Sequence, residues 1–447
     1  MKKPLLWLTI LLPLAMALPA LAAAKPTGAG IRDEAYAYIR ADQAYFITGR
    51  PVTFTVVLPE QPQGYTYEYT LYYTPDRVTQ NLYEGIEQKK ESFETTFSHT
   101  PANEGQYFLE ITIYDADYKS VRLQTQPFFA FAETAEADPA TLPGKVKAIA
   151  SELNALNLPT QYDKALWLHD WLTANADYDE PMTIHTPEGV LLQGKGVCES
   201  YALAFSILLH EVDIEDIYVT GYSRGELHAW NLVNVDGEWT YIDPTWDDPV
   251  GGGKEGHDYF GLTSDLIARD HDSSSAKLVP PAATGLTHNW ALRNGVKSFT
   301  DEEGLYALLT EGLQQKQAVI DYVYHGTNKY FYLNDLVERW MKNNFQRYFV
   351  TSYTYGGSSY SGRVEAEYGD FSAYRTFTTE EEFGVVMDEL LNAKTPLLQA
   401  YYVGEDPYFH FGSLVRKWFG EHMADYPIAS YEYTYYPSYG DINVTYK

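Results

Sequence analysis

The 447-residue chain contains one cysteine, Cys198. A single thiol excludes an internal disulfide framework and every Cys-x-x-Cys zinc pattern. Basic residues are scarce: 32 Lys and Arg stand against 61 Asp and Glu, for a formal net charge of −29. Such a surface repels phosphate, so nucleic acid and anionic lipid are excluded as partners. Beyond the first residues, no stretch is apolar enough to span a bilayer. Low-complexity runs are also missing. With 45% hydrophobic residues the chain forms cores, enough for roughly three domains.

The opening MKKPLLWLTILLPLAMALPALAAAKP has a basic start, one apolar run and small residues at Ala20–Ala24. This reads as a signal peptide over 1–24. The expected location is secreted, extracellular or in the cell envelope, with no membrane insertion after signal removal. Exported cysteines usually pair, so a lone one is a candidate reactive thiol.

Residues 31–131 alternate in strand fashion, as in Val52–Val57, Tyr65–Tyr73 and Tyr107–Tyr114. Turn residues separate the runs, which suggests an Ig-like β-sandwich. A linker by composition follows at 132–144. Helical periodicity then takes over, in Val146, Ile149 and Leu153, and again from about Tyr162 to Ala176. Cys198 opens a third helix, to about Glu211. Strands are expected at Ile217–Tyr222, His228–Val235 and Trp239–Ile242, the last two joined by an Asp236-Gly237 turn. Asp247 and Asp248 read as a solvated turn, and His169 and Asp170 as structural.

An internal repeat fills the last third. Phe299, Trp340 and Tyr368 recur 78 residues later as Phe377, Trp418 and Tyr446. The two copies, 298–371 and 376–447, read as α+β modules of order αβαββ. Each opens with an expected capping box, Thr300 to Glu303 and Thr378 to Glu381. Their abundant tyrosines make them candidates for binding a cell-surface ligand.

The chemistry concentrates on Cys198. A nucleophilic thiol needs a stabilised thiolate, a base and a group to orient that base. A helix start favours negative charge. His228 lies 30 residues further on and Asp243 another 15. In a hairpin turning at Asp236-Gly237 these two fall nearly opposite each other. The set has the chemistry of a Cys–His–Asp triad. A metal site is disfavoured, because no second cysteine or His-x-x-x-His accompanies it. No cofactor is implied.

GKGVCESYALAF, HAWNLV and YIDPTWDDP, in that order, resemble the transglutaminase-like superfamily in its bacterial secreted branch. LHDWLTANADYD upstream and YFGLTSDLIARDHD downstream extend the likeness over 145–292. The resemblance implies a papain-like α+β catalytic domain, with Cys198 as nucleophile, His228 as base and Asp243 as its orienter. Ser200 departs from the glycine common at that position. The oxyanion site is expected at the Cys198 backbone N–H, with Gln193 as the side-chain candidate. Trp230 and Trp246 are expected to line or floor the cleft. The expected activity is a thioacyl-enzyme hydrolase acting on protein or cell-wall peptides. Two alternatives stay open: an amine-accepting transglutaminase, and a non-catalytic adhesion protein with a decayed central domain.

Overall fold

The structure is a computed structural model that describes residues 36–59, 64–77, 85–248, 250, 256–274, 276, 278–328, 330–406 and 408–447. The expected signal peptide lies outside the described residues. The fold is a mixed α+β, multidomain arrangement. No described helix is long and apolar enough to cross a membrane.

Between Tyr38 and Phe131 the strands form a three-stranded and a six-stranded sheet. Alternation does the sorting: Val52, Phe54 and Val56 are buried, while the residues between them are half-buried. Their core includes Phe46, Phe97, Tyr107 and Ile111. The strand Phe128–Phe131 is buried along its whole length. Its period of two divides it between cores: Phe128 and Ala130 face the sheets, Phe129 and Phe131 face the central domain.

The stretch 132–144 has more structure than its composition suggests. A 3-10 turn covers Glu133–Ala137 and a helix begins at Leu142. Thr141 caps that helix, its hydroxyl accepting from the Gly144 N–H at 3.3 Å, and Pro143 sits in its first turn. Ala135, Leu142 and Pro143 are buried, so apolar contact holds a segment whose Pro, Gly and Asp content reads as loop.

The central domain packs the helices Leu142–Ala155, Gln161–Asn175 and Cys198–Glu211 beside a five-stranded antiparallel sheet. In spatial order its strands are Phe260–Leu262, Glu238–Ile242, Glu226–Val235, Asp216–Ser223 and His271–Asp272. Every residue from Ser200 to Leu209 is buried. Both faces of that helix meet protein, so its apolar residues wrap it rather than form one stripe. The hairpin turns where expected. Asn231 pairs with Ile242 and Asn234 with Trp239, and Asp236 and Gly237 take φ of 51° and 86°. Two positive φ angles make the Asp-Gly pair the natural occupant.

Two four-stranded sheets follow, each over its own core. Each opens with a short strand, Lys297–Phe299 or Arg375–Phe377, paired parallel to a later one. The order is therefore βαβαββ, not αβαββ. Three residues are too few to show a period. The caps also differ from the expected boxes. Asp301, not Thr300, caps the first helix, accepting from the Gly304 N–H at 2.8 Å. Thr379, not Thr378, caps the second, while Glu382 accepts from the Thr378 N–H at 2.6 Å. An aspartate accepts at a helix start as well as a threonine does, and this moves the first boundary by one residue.

Gly221 lets the edge strand His271–Asp272 close onto the sheet. A Cβ there would lie 2.1 Å from the Asp272 carbonyl oxygen and 2.9 Å from Trp230. Gly221→Ala is expected to cost about 1–3 kcal/mol in urea unfolding. An unchanged unfolding midpoint would show that the edge strand tolerates displacement.

Candidate active site

The loop before Cys198 is fixed by backbone and hydroxyl bonds. The Ile184 carbonyl accepts from the Val197 N–H at 3.0 Å and from the Ser200 hydroxyl at 2.7 Å. Ser200 is fully buried, so its hydroxyl takes a tethering role that a glycine could not fill. Gly196 cannot carry a side chain, because a Cβ would meet the Ser200 Cβ at 2.5 Å. Cys198 is the first residue of its helix and is half-buried. No side chain caps that helix start.

His228 and Asp243 meet as the hairpin geometry requires. The His228 Nε2–H donates to Asp243 Oδ2 at 2.6 Å. Asp243 is fully buried, and its Oδ1 accepts from the backbone N–H of Thr245 at 3.0 Å and of Trp246 at 3.4 Å. Burial drives the His228 pKa down. The charge and hydrogen bond of Asp243, and then a hydrogen bond with Cys198, outweigh it and lift the value to about 10. Nε2 faces Asp243, so Nδ1 is left for Cys198. Burial pushes the Asp243 carboxyl up, yet His228 and His271 hold it well below the usual carboxylate range.

Two aromatic rings enclose the imidazole. Trp230 stacks on His228 with centroids 5.8 Å apart and a 19° interplanar angle. It is 1% exposed, so it floors the site from within the core. Trp246 meets His228 edge-on at 5.9 Å and is half-buried, with the Arg224 guanidinium 4.2 Å above its ring. Gln193 is exposed at the end of the π-helical turn Gly189–Gln193, before the strand Lys195–Gly196.

Three residues of the neighbourhood carry no role in the sequence reading. His271 Nε2–H donates to Asp243 Oδ2 at 3.0 Å, so one carboxylate oxygen serves two imidazoles. The other ring nitrogen of His271 lies 2.7 Å from Asp270 Oδ1. Tyr178 is half-buried, and burial, then the charge of Cys198, push its phenol up to about 12. All three sit in the family-like stretches LHDWLTANADYD and YFGLTSDLIARDHD. Spacing alone could not aim them at the site.

Asp247 and Asp248 do not form a solvated turn, being 2% and 9% exposed. Asp248 accepts a short hydrogen bond from the Tyr201 hydroxyl. Asp247 accepts from His169 Nε2 at 3.1 Å and from the Tyr259 N–H at 2.9 Å. His169 Nδ1 lies 3.0 Å from Asp170 Oδ1, which also meets His257 Nε2 at 2.7 Å. Paired acidic residues read as loop; here a buried histidine supplies the partner.

Among the described residues, two groups place donor atoms within 4.8 Å and could hold a cation: His169–Asp170–His257 and His228–Asp243–His271. In both, hydrogen bonds already join the histidines to the carboxylate.

A half-buried thiol at a helix start faces an imidazole that a buried carboxylate holds, the arrangement of residue types in a Cys–His–Asp triad. The sequence places it further. Residues 147–244 match the transglutaminase-like superfamily, so the chain carries a transglutaminase-like domain. Members of that superfamily are typically cysteine hydrolases or acyltransferases. The chain is similar to the kyphoscoliosis peptidases of Mus musculus and Homo sapiens, each 28% identical over 101 residues. That match covers 19% of this chain and only 15% of the length of either relative. Among solved structures, a crystal structure of a TGase overlaps 26% of this chain and 34% of its own, at 15% identity and TM-score 0.22. A candidate cysteine protease from Cytophaga hutchinsonii overlaps 47% and 76%, at 14% identity and TM-score 0.21.

Both nitrogens of buried His169 face carboxylates. Burial lowers its pKa, but Asp170 and Asp247 outweigh this and raise it from 6.5 to about 9. A raised folded value stabilises below the unfolded pKa and is lost as pH climbs through the folded one. The stability advantage of the wild type over His169→Gln is therefore expected to be full at pH 6 and to shrink by pH 9.5 in urea unfolding. An advantage that stays level or grows would mean a neutral imidazole.

Proposed function

We infer that the protein is a secreted cysteine peptidase or amidase that works through a thioacyl-enzyme, with Cys198, His228 and Asp243 as its catalytic residues. The observation that carries this reading is the imidazole between two partners, Nε2 on buried Asp243 and Nδ1 left for Cys198. On this reading the pair reacts as thiolate and imidazolium, with Asp243 holding the imidazolium. Cys198 Sγ attacks the carbonyl carbon, and negative charge moves to the oxygen. The N–H groups of the helix start, Cys198 first, receive it, a reading supported by the lack of a side-chain cap there. His228 gives its Nδ1 proton to the leaving amine, and the C–N bond breaks to leave a thioester. A water then loses its proton to His228 and attacks that thioester. The products are a carboxylic acid and the free thiol.

The substrate class is protein or cell-wall peptide. The acidic surface and the leader of the sequence support work outside the cell. The β-sandwich flanks the catalytic domain, and the tandem C-terminal modules are candidates to hold a surface ligand.

Incubating the mature protein with proteome and cell-wall digests, with and without a labelled amine, tests the reading. New termini without label incorporation are expected. Cys198→Ala is expected to abolish them, and Asp243→Asn to slow them by about a hundred- to ten-thousandfold. Label in the product would make an amine the acceptor. No reaction, with a thiol no more reactive than free cysteine, would favour a binding protein.

A further inference from the structure

The segment carrying His271 is held by the first C-terminal module. Ser359 lies at the tip of the hairpin between the strands Val350–Gly357 and Ser361–Tyr368. Its hydroxyl donates to Asp270 Oδ2 at 2.5 Å, where the Tyr259 hydroxyl also donates at 2.7 Å. The other oxygen of Asp270 holds His271, and His271 holds Asp243. An unbroken chain of hydrogen bonds thus runs from Ser359 to His228.

Four more contacts join the first module to this segment and to Asp258 and Tyr259. Arg269 donates to the Phe331 carbonyl at 2.7 Å and lies 4.6 Å over the Tyr324 ring. The Tyr360 hydroxyl makes a short bond to the Asp258 carbonyl. The Tyr360 ring is 1% exposed, meets Tyr259 edge-on at 5.3 Å and belongs to the core of the catalytic domain.

The second module supplies an internal comparison. Its backbone repeats the arrangement: the Tyr402 N–H bonds the Ser438 carbonyl as the Tyr324 N–H bonds that of Tyr360. Its side chains differ at the two docking positions. Pro437 and Ser438 stand where the first copy has Ser359 and Tyr360. The hairpin is common to both copies, and the docking pair belongs to the first alone.

We propose that the first C-terminal module is a clamp on the active site, in which Ser359 and Asp270 fix His271 as a positioning residue for the Asp243–His228 pair. This rests on the nucleophile reading of Cys198. The groups facing His271 are Asp270 on its own segment, Asp243 and His228 from the hairpin, and Tyr259 beside the sheet. Trp246, with Arg224 above it, faces the ring at 5.1 Å. Both nitrogens of His271 meet carboxylates, so both donate and the ring is an imidazolium. It anchors Asp243 without accepting a proton from it.

Cys198 is the only thiol, so iodoacetamide alkylation of the full chain reads this site alone, without a known substrate. Rates are compared from pH 5 to 10 for the wild type, His271→Gln, Ser359→Ala and Ser359→Thr. The wild type is expected to react at pH 6 well above free cysteine. His271→Gln is expected to lose about tenfold at pH 6 and little at pH 9, where a thiol ionises unaided. Ser359→Ala is expected to lose about threefold in the same pH-dependent way, and Ser359→Thr to recover it. Folded Ser359→Ala and His271→Gln with wild-type profiles, or with equal losses at every pH, would overturn the clamp alone. Should His271→Gln not fold, the two Ser359 variants at the hairpin tip decide by themselves. A wild type that reacts like free cysteine at every pH would overturn the nucleophile reading, and the clamp with it.

Discussion

The site depends on a carboxylate that has no access to water. An ionised group so placed costs on the order of several kcal/mol unless partners replace its hydration. Asp243 has four: two backbone N–H groups on one oxygen and two imidazoles on the other. The hairpin turn, the edge strand and the tryptophan floor all serve to bring those donors together. Trp230 stacks on His228 and meets His271 edge-on, and the edge strand that carries His271 closes only because residue 221 has no side chain. The same attraction that keeps Asp243 ionised keeps His228 protonated, and this gives a thiol at Cys198 a cationic neighbour.

A second buried pair repeats the device on the other side of the segment after Asp243. His169 lies between Asp247 and Asp170, and His257 stacks on Trp290 with centroids 4.3 Å apart. The stretch from Asp243 to Asp248 is thus fixed from both ends. A rigid support suits the orienting role proposed for Asp243, since a small displacement at a reacting group costs rate.

Much of this was legible in the residues. The helix at Cys198 begins and ends where its apolar spacing and polar flanks suggest. The Asp236-Gly237 turn set the hairpin register, and with it the approach of His228 to Asp243. What could not be read has a physical cause in each case. The opening strands of the C-terminal modules are three residues long, below any detectable period. The 132–144 stretch has loop composition but is held by burial of Ala135 and Leu142. Asp247 and Asp248 are acidic neighbours that only distant partners, His169 and Tyr201, could bring indoors. Asp170 joins the same network, bonded to both His169 and His257.

Local chemistry determined the nucleophile candidate, the hairpin and the repeat, because helix starts, tight turns and side-chain periods are written in short stretches of chain. Tertiary structure alone decided that Asp243 serves two imidazoles and that a hairpin some ninety residues after Asp270 reaches it. Such contacts follow from where whole sheets and helices pack. In sequence Ser359 is one serine in a Gly-Gly-Ser-Ser-Tyr turn, and nothing local sets it apart. Only the docked fold gives its hydroxyl a partner.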